Sequence, residues 1–190
     1  MQIEVFGQSG KMGSALVDAI QARGWSVGDG AVAIDVSHPD ALLDHIGNKP
    51  LIVGSTGHTE ENFEAMRTAS KRIPILYVPN FSLGVALLSK LARQMPDAKV
   101  HIFETHHKEK RDCPSGTALM LQKQLGGKIS ATREENVIGE HKVCFILGDE
   151  EIELVHRARS RKVFADGALR CAEWIAAQPP GFYTMDDVCK

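Results

Sequence analysis

Over its first 80 residues the chain alternates short β-prone apolar runs with stretches whose apolar residues recur at helical spacing, and this alternation leaves few folds open. Gln2 to Phe6 reads as a strand. Gly7-Gln8-Ser9-Gly10-Lys11-Met12-Gly13 then leads into Met12, Ala15, Leu16, Ala19 and Ile20, an apolar helical stripe. A second strand, Ala31 to Val36, is followed by Ser37-His38-Pro39-Asp40, where Ser and Pro suit the first turn of a helix carrying Leu42, Leu43 and Ile46. Leu51 to Val53 ends in Gly54-Ser55-Thr56-Gly57, after which Thr59 can cap a helix with Glu60 and Glu61 in its first turn. Ile73 to Val78 is the last strand of the series. Strands separated by helices imply parallel βαβ units, and such sheets bind ligands at the carboxyl ends of their strands. The loops 7–13, 54–57 and 79–82 are therefore the ones to inspect.

From Ser82 the pattern changes. A helix carrying Leu83, Leu87 and Leu91 precedes a strand from Lys99 to His107 and a helix from Ser115 to Leu125. Lys142 to Leu147 and Glu151 to Arg157 flank Gly148-Asp149 as an antiparallel hairpin. A final helix, Ala165 to Ala177, can return to the first region. The expectation is an α/β fold: residues 1–79 with 164–190 form a parallel-sheet domain, and residues 80–163 form a mainly antiparallel α+β domain.

Composition narrows the partners. With 22 Lys and Arg against 24 Asp and Glu, the chain lacks the cationic excess that binding long nucleic acid requires. Its 43% hydrophobic content excludes a disordered chain. No stretch approaches the roughly 20 apolar residues of a membrane span, and Met1-Gln2-Ile3-Glu4 carries no basic leader, so a cytoplasmic protein with a small-molecule partner is expected. Cys113, Cys144, Cys171 and Cys189 form no Cys-x-x-Cys pair and are read as reduced structural thiols.

Two segments carry chemical content. Gly7, Gly10 and Gly13 lie between a strand and a helix, where backbone N–H groups and a helix N-terminus can approach a pyrophosphate; a purely structural tight turn is the alternative. An acidic ribose ligand about 20 residues further on would complete a dinucleotide site, and only Asp29 and Asp35 are near. The second segment runs from Glu104 to Ala118. Pro114 and Ser115 mark a helix start, so the N–H groups of Ser115, Gly116 and Thr117 can form an anion site. His106, His107, Lys108, Lys110 and Arg111 precede it, suited to binding a carboxylate and protonating an intermediate. Without that helix start the cations would read as a solvated charge run. Adjacent His106 and His107 point to opposite faces of a strand, and a metal held by Glu104, His106 and His107 lacks an evident further ligand, so no metal is expected.

The segment Glu104 to Ala118 resembles the signature of the 4-hydroxy-tetrahydrodipicolinate reductases, also called dihydrodipicolinate reductases. The resemblance recurs at Gly7 to Gly13, Asp35-Val36-Ser37-His38-Pro39, Gly54 to Gly57, Pro79-Asn80-Phe81-Ser82-Leu83-Gly84-Val85, Gly139-Glu140-His141, and Ser160-Arg161 through Phe164-Ala165-Asp166-Gly167. It implies a Rossmann-like first domain binding NADH or NADPH, a second domain that holds a cyclic dicarboxylate and builds a homotetramer through an open sheet, and a place in diaminopimelate and lysine biosynthesis. By position, His106 and Lys110 match the family's proton-transferring residues, and His107, Ser115, Gly116 and Thr117 its substrate ligands. Gly7, Gln8, Ser9, Gly10, Lys11, Met12, Gly54, Ser55, Thr56, Pro79, Asn80, Phe81, Ser82 and Arg161 fall where the family meets its cofactor. One departure is large. Between the first helix and Ala31 the chain lacks a strand-helix-strand segment of longer members, and with it the acidic ribose ligand. Weak discrimination between NADH and NADPH follows, with Gly10 to Met12 carrying most of the affinity. Another NAD(P)-dependent dehydrogenase of amino or keto acids, or a non-catalytic scaffold or metabolite sensor, are the competing readings.

Overall fold

The computed structural model describes residues 1–190. In chain order, β1 (Gln2–Phe6), α1 (Lys11–Ala22), β2 (Ser26–Val27) and β3 (Val32–Asp35) come first. A 3₁₀ turn (Pro39–Ala41) leads into α2 (Leu42–His45), followed by β4 (Leu51–Val53), α3 (Glu60–Ala69), β5 (Pro74–Tyr77) and α4 (Leu83–Ala92). Then come β6 (Lys99–His107), α5 (Gly116–Leu125), β7 (Lys128–Glu134), β8 (Gly139–Leu147) and β9 (Glu150–Ala158). The chain ends with α6 (Lys162–Ile175), β10 (Gly181–Thr184) and α7 (Met185–Val188). Two compact units result, one of Met1–Ser82 with Lys162–Lys190 and the other of Leu83–Arg161.

The first unit is built on a six-stranded parallel sheet ordered β10-β5-β4-β3-β1-β2. Strand residues alternate between two cores, as a sheet covered on both faces requires. Ile34, Ile52 and Leu76 join Leu16 and Ile20 of α1 and Leu169, Ala172 and Ile175 of α6. Ala33, Leu51, Val53 and Ile75 face the other way, onto Leu42 and Met66. Pairing in register brings Phe6, Asp35, Val53 and Tyr77 to a common carboxyl edge. The order reverses at β1, whose neighbours are β2 and β3, so the loops after β1 and β3 flank the switch point where such sheets bind ligands.

Several sequence expectations need correction here. A strand does follow α1: the residues Ser26 and Val27 pair with Gln2 and Ile3. After β2 the chain turns straight back to β3 through Gly28 and Gly30. The Gly28 N–H bonds Ile3 O at 3.0 Å, and a Cβ on Gly30 would lie 2.0 Å from Gln2 O. Ser37 does not cap the next helix. His38 does, while the Ser37 hydroxyl turns back to Asp35. Thr59 caps α3 with a full capping box, as its sequence implied.

The second unit is a four-stranded mixed sheet ordered β7-β6-β8-β9, parallel between β6 and β7 and antiparallel at the other two ladders. Its core holds Leu88 and Ala92 of α4, Ala118 and Leu121 of α5, and Ile102, Val143 and Phe145 of the sheet. Leu87 and Leu91, taken from the sequence as the buried stripe of α4, are 54% and 38% exposed; Val85, Ala86, Leu88 and Ala92 turn inward instead. The helix is apolar on more than one side, so spacing alone could not choose its buried face. All four cysteines are free thiols, and burial pushes the Cys171 thiol up to about 12. No helix is long and apolar enough to cross a membrane.

Leu16 is fully buried where α1, α6 and the parallel sheet meet. Truncation to Ala is expected to cost about 2–5 kcal/mol through lost burial and the cavity left behind. Denaturant unfolding of Leu16→Ala against wild type measures it, and a loss below about 1 kcal/mol would mean that the two helices close over the gap.

Candidate active site

In the first unit the three loops named from the sequence meet their neighbours without intervening side chains. Gly7 has φ +86°, and a Cβ there would lie 2.8 Å from the backbone of Ser37, so the loops after β1 and β3 touch backbone to backbone. A Cβ on Gly13 would lie 2.0 Å from Gly7 O, which lets α1 begin directly behind the turn. Gly10 is the N-cap of α1, with no side-chain cap and no acidic residue in the first turn. Gln8, Ser9, Gly10 and Lys11 are exposed and Met12 half-buried. The aromatic ring of Phe81 packs on Gly54, whose Cβ would lie 2.5 Å from it, so the loops after β4 and β5 are also joined. Ser55 is buried and its hydroxyl lies 3.1 Å from His58 Nε2, whereas Thr56 is exposed. Asn80 Oδ1 accepts the Ser82 N–H at 2.8 Å, shaping the segment from the exposed Pro79 to Ser82.

The two acidic candidates for a ribose are engaged elsewhere. Asp35 is fully buried; its carboxylate accepts the Ser37 N–H and hydroxyl and lies 3.0 Å from His45 Nδ1. Asp29 pairs with Lys49, which also bonds Glu4 at 2.9 Å. That contact holds the Asp29 carboxyl below its ordinary range. The reversal at Gly28 leaves it level with Gln2 and Ile3, short of the carboxyl edge at Phe6.

In the second unit the alternation of β6 sorts the charged segment by face. Ile102, Glu104 and His106 turn toward the helices and are buried, while His101, Phe103, Thr105 and His107 turn the other way. The Glu104 side chain has no exposed surface. Its Oε1 accepts Arg133 Nη1–H at 2.9 Å and the Ser115 N–H at 3.1 Å, and its Oε2 lies 2.6 Å from His106 Nδ1. Burial opposes ionisation of Glu104, but the bonds from Ser115 and Arg133 outweigh it and leave the carboxyl below its usual range. His106 is pulled below the ordinary imidazole value by burial, with Lys110 and Arg133 adding to the effect and Glu104 opposing it. Across the ladder, His141 stands opposite Glu104 and His156 opposite His141. The His141 ring meets His106 edge-on at 5.1 Å, and its Nε2 lies 3.2 Å from the Ser115 hydroxyl. Burial lowers His141 to about 3, with the neighbouring His106 contributing.

Glu104, His106 and His141 offer ligand atoms within 4.8 Å of one another. The 2.6 Å between Glu104 and His106 is nevertheless the spacing of a charge pair, tighter than two ligands keep around an ion with bonds of about 2.0–2.2 Å.

Ser115 caps α5, accepting the Ala118 N–H at 3.3 Å. Asp112 stands just ahead of the same helix, in an ion pair with Lys110 at 2.7 Å; burial opposes ionisation, but Lys110 holds the carboxyl below its ordinary range. Lys110 is thus held by Asp112 just ahead of α5. His107 is half-buried and bonds Glu109 at 2.9 Å, and its other ring nitrogen lies 3.4 Å from Arg161 Nη2. Arg161 therefore accompanies His107. Lys108 pairs with Glu135 away from this group. Sequence reasoning missed Arg133, His141 and His156 as members of the cluster. A carboxylate on the covered face of β6 signalled that a cation had to meet it, but nothing near it in sequence said which.

A parallel sheet with a glycine loop at its switch point, followed by a mixed sheet carrying a buried histidine-carboxylate pair, defines a protein of the two-domain nucleotide-dependent dehydrogenase class. Two family models match: "Dihydrodipicolinate reductase, C-terminus" over residues 81–189 and "Dihydrodipicolinate reductase, N-terminus" over residues 26–81. The chain belongs to the dihydrodipicolinate reductase family. It is 34% identical over 239 aligned positions to a 4-hydroxy-tetrahydrodipicolinate reductase of Akkermansia muciniphila, covering 99% of this chain and 97% of the relative. With the reductase of Thermosipho africanus the figures are 35% over 213 positions, 100% and 98%. The solved structure of dipicolinate-bound dihydrodipicolinate reductase from Paenisporosarcina sp. TG-14 shares the fold, with a TM-score of 0.81, 18% identity and 98% of both chains covered. Diaminopimelate dehydrogenase of C. glutamicum shares it more loosely, with a TM-score of 0.64 and 9% identity over 98% of this chain and 93% of the other.

The buried histidines make stability depend on pH. His106, His141 and His156 all bind protons less readily folded than their ordinary value of 6.5 allows. The unfolded chain therefore takes up more protons below pH 6.5, and stability falls as pH drops from there toward the His141 value of about 3. His141 contributes up to about 1.4 kcal/mol per pH unit in that window. Urea unfolding between pH 7 and 4 is expected to show the decline, and His141→Gln to flatten it. An equally steep slope in the variant would remove His141 from the account.

Proposed function

We propose that this chain catalyses the NADH- or NADPH-dependent reduction of 4-hydroxy-tetrahydrodipicolinate to tetrahydrodipicolinate, a step toward diaminopimelate and lysine. The observation that carries the reading is the buried Glu104-His106 pair next to Lys110 and the start of α5, inside the stretch matched by the C-terminal family model.

The residues at the switch point suit a dinucleotide. Gly7 and Gly13 leave no room for side chains between the turn and α1, and the first turn of that helix has neither a side-chain cap nor an acid to repel a pyrophosphate. Gly7, Gln8, Ser9, Gly10, Lys11 and Met12 would hold the pyrophosphate, and Gly54, Ser55, Thr56, Pro79, Asn80, Phe81 and Ser82 the nicotinamide half, with Arg161 nearby. When bound, the cofactor supplies a hydride. The overall change also takes up one proton and releases the 4-hydroxyl as water. His106 and Lys110 hold protons for these steps. Gly116, Thr117, Ser115 and His107 bind the substrate carboxylates, one of which takes over the Lys110 charge from Asp112. A homotetramer joined through the four-stranded sheet and a cytoplasmic location belong to the same reading.

The assay follows NAD(P)H absorbance with the substrate generated in situ. His106→Ala and Lys110→Ala are expected to lower kcat by about 10²–10⁴-fold while cofactor affinity stays unchanged. Thr117→Val should raise KM and weaken inhibition by pyridine-2,6-dicarboxylate, in keeping with a lost hydrogen bond to a charge of roughly 1.5–3 kcal/mol. Near-normal turnover in both alanine variants would overturn the assignment.

For the cofactor, Asp29, one of the two acids near the glycine loop in sequence, pairs with Lys49 and lies level with Gln2 and Ile3, which speaks against a role at the ribose. Asp29→Ala should leave the Kd of NADH and of NADPH within about twofold of wild type, the range of an uninvolved surface substitution. A larger change for NADH alone in a direct titration would return Asp29 to the ribose.

A further inference from the structure

We infer that Glu104 is the positioning residue for His106: it fixes which ring nitrogen carries the proton and ties the orientation of the imidazole to the helix start that receives the substrate carboxylate. The inference rests on the function proposed above and adds a residue to it.

The geometry is that of one carboxylate with two tasks. Oε2 lies 2.6 Å from His106 Nδ1, off the line of a well-formed hydrogen bond, and neither buried atom bonds any other group, so a proton on Nδ1 has this carboxylate as its one acceptor. His106 Nε2 is then left to exchange protons. It faces Gly139, where a Cβ would stand 3.0 Å away, so the glycine keeps that nitrogen uncovered by a side chain. Oε1 takes the Ser115 N–H, at the N-cap of α5, and Arg133 Nη1. Arg133 is itself anchored, bonding the carbonyl oxygens of Thr132, Lys110 and Asp112. The segment that bears Lys110 is thus fixed to the same carboxylate. A displacement of α5 relative to β6 would pull on Glu104 and, through it, on His106.

The charged and titratable groups facing His106 are Glu104 on its own strand, Lys110 on the following loop, Arg133 on β7 and His141 on β8. Of these, Glu104 is the one that favours the protonated ring. His141, neutral above a pH of about 3, cannot replace it as a partner of opposite sign. The arrangement follows the logic by which a buried carboxylate sets the tautomer of a catalytic imidazole without reacting itself.

The test combines Glu104→Gln with histidine ¹⁵N spectra. Gln keeps an oxygen for Ser115 and Arg133 but presents an N–H₂ to His106, which must then turn Nδ1 into an acceptor. In wild type the His106 proton is expected on Nδ1, and in Glu104→Gln on Nε2. The variant should lose about 10²–10⁴-fold in kcat, with the Kd of pyridine-2,6-dicarboxylate unchanged within about threefold, since the helix start is intact. The limb of the pH profile that reports His106 should move to lower pH. A purely structural role would weaken inhibitor binding and kcat together and leave the limb in place, and that result would overturn the proposal. A wild-type ring protonated on Nε2 would overturn it as well, and this measurement does not depend on the variant folding. Wild-type protein with no turnover of the substrate would instead overturn the functional reading, while the tautomer would still decide the pairing.

Discussion

Glu104 is an ionised carboxylate with no exposed surface, and a charge in that position is tolerated only where hydrogen bonds and an opposite charge replace the water it gave up. Meeting that demand organises the second unit. The requirement brings Arg133 in from β7, draws the N–H of Ser115 and with it the first turn of α5, and sets the plane of His106. The strand β7, the start of α5 and the His106 ring are thereby pinned to one point on β6. The cluster is strong only when complete, because removing one partner strands the rest in a poorly solvated place. His141 fits the same logic from the neutral side: next to His106 and under the sheet, it stays uncharged and bonds a hydroxyl.

The two helix starts treat negative charge differently. At α1 no side chain caps the helix and no acid stands in its first turn, so the partial positive charge of that helix start meets no anion from its own first turn. At α5 the protein places a carboxylate of its own just ahead of the helix, where Asp112 pairs with Lys110.

Sequence reading located what is local. The ends of β1, β4 and β5, the cap at Thr59 and the helix start at Ser115 all depend on residues within a few positions of one another, and they stand where expected. Edge strands were harder. Lys128–Glu134 and Gly181–Thr184 are edge strands with exposed or half-buried side chains, so neither shows the apolar run or clean alternation that marks a covered strand. At the buried cluster, the charged stretch from Glu104 to Ser115 was legible because its members are close in sequence. The partnership with Arg133 spans 29 residues and arises from the parallel register of β6 with β7, which no local pattern encodes. Asp29 shows the opposite case: its distance from the glycine loop along the chain was suitable, and only the early reversal after β2 takes it away.

That reversal has a consequence for how length varies in this family. β2 is an edge strand that pairs only with β1, and the turn at Gly28 to Gly30 leads from it to β3. Residues inserted there would grow outward from the rim, leaving the register of β1, β3, β4 and β5 and their shared carboxyl edge as they are. The alignment with the Akkermansia relative extends over 239 positions against the 190 residues of this chain. A rim turn of this kind can lengthen or shorten while the floor beneath the glycine loops stays fixed.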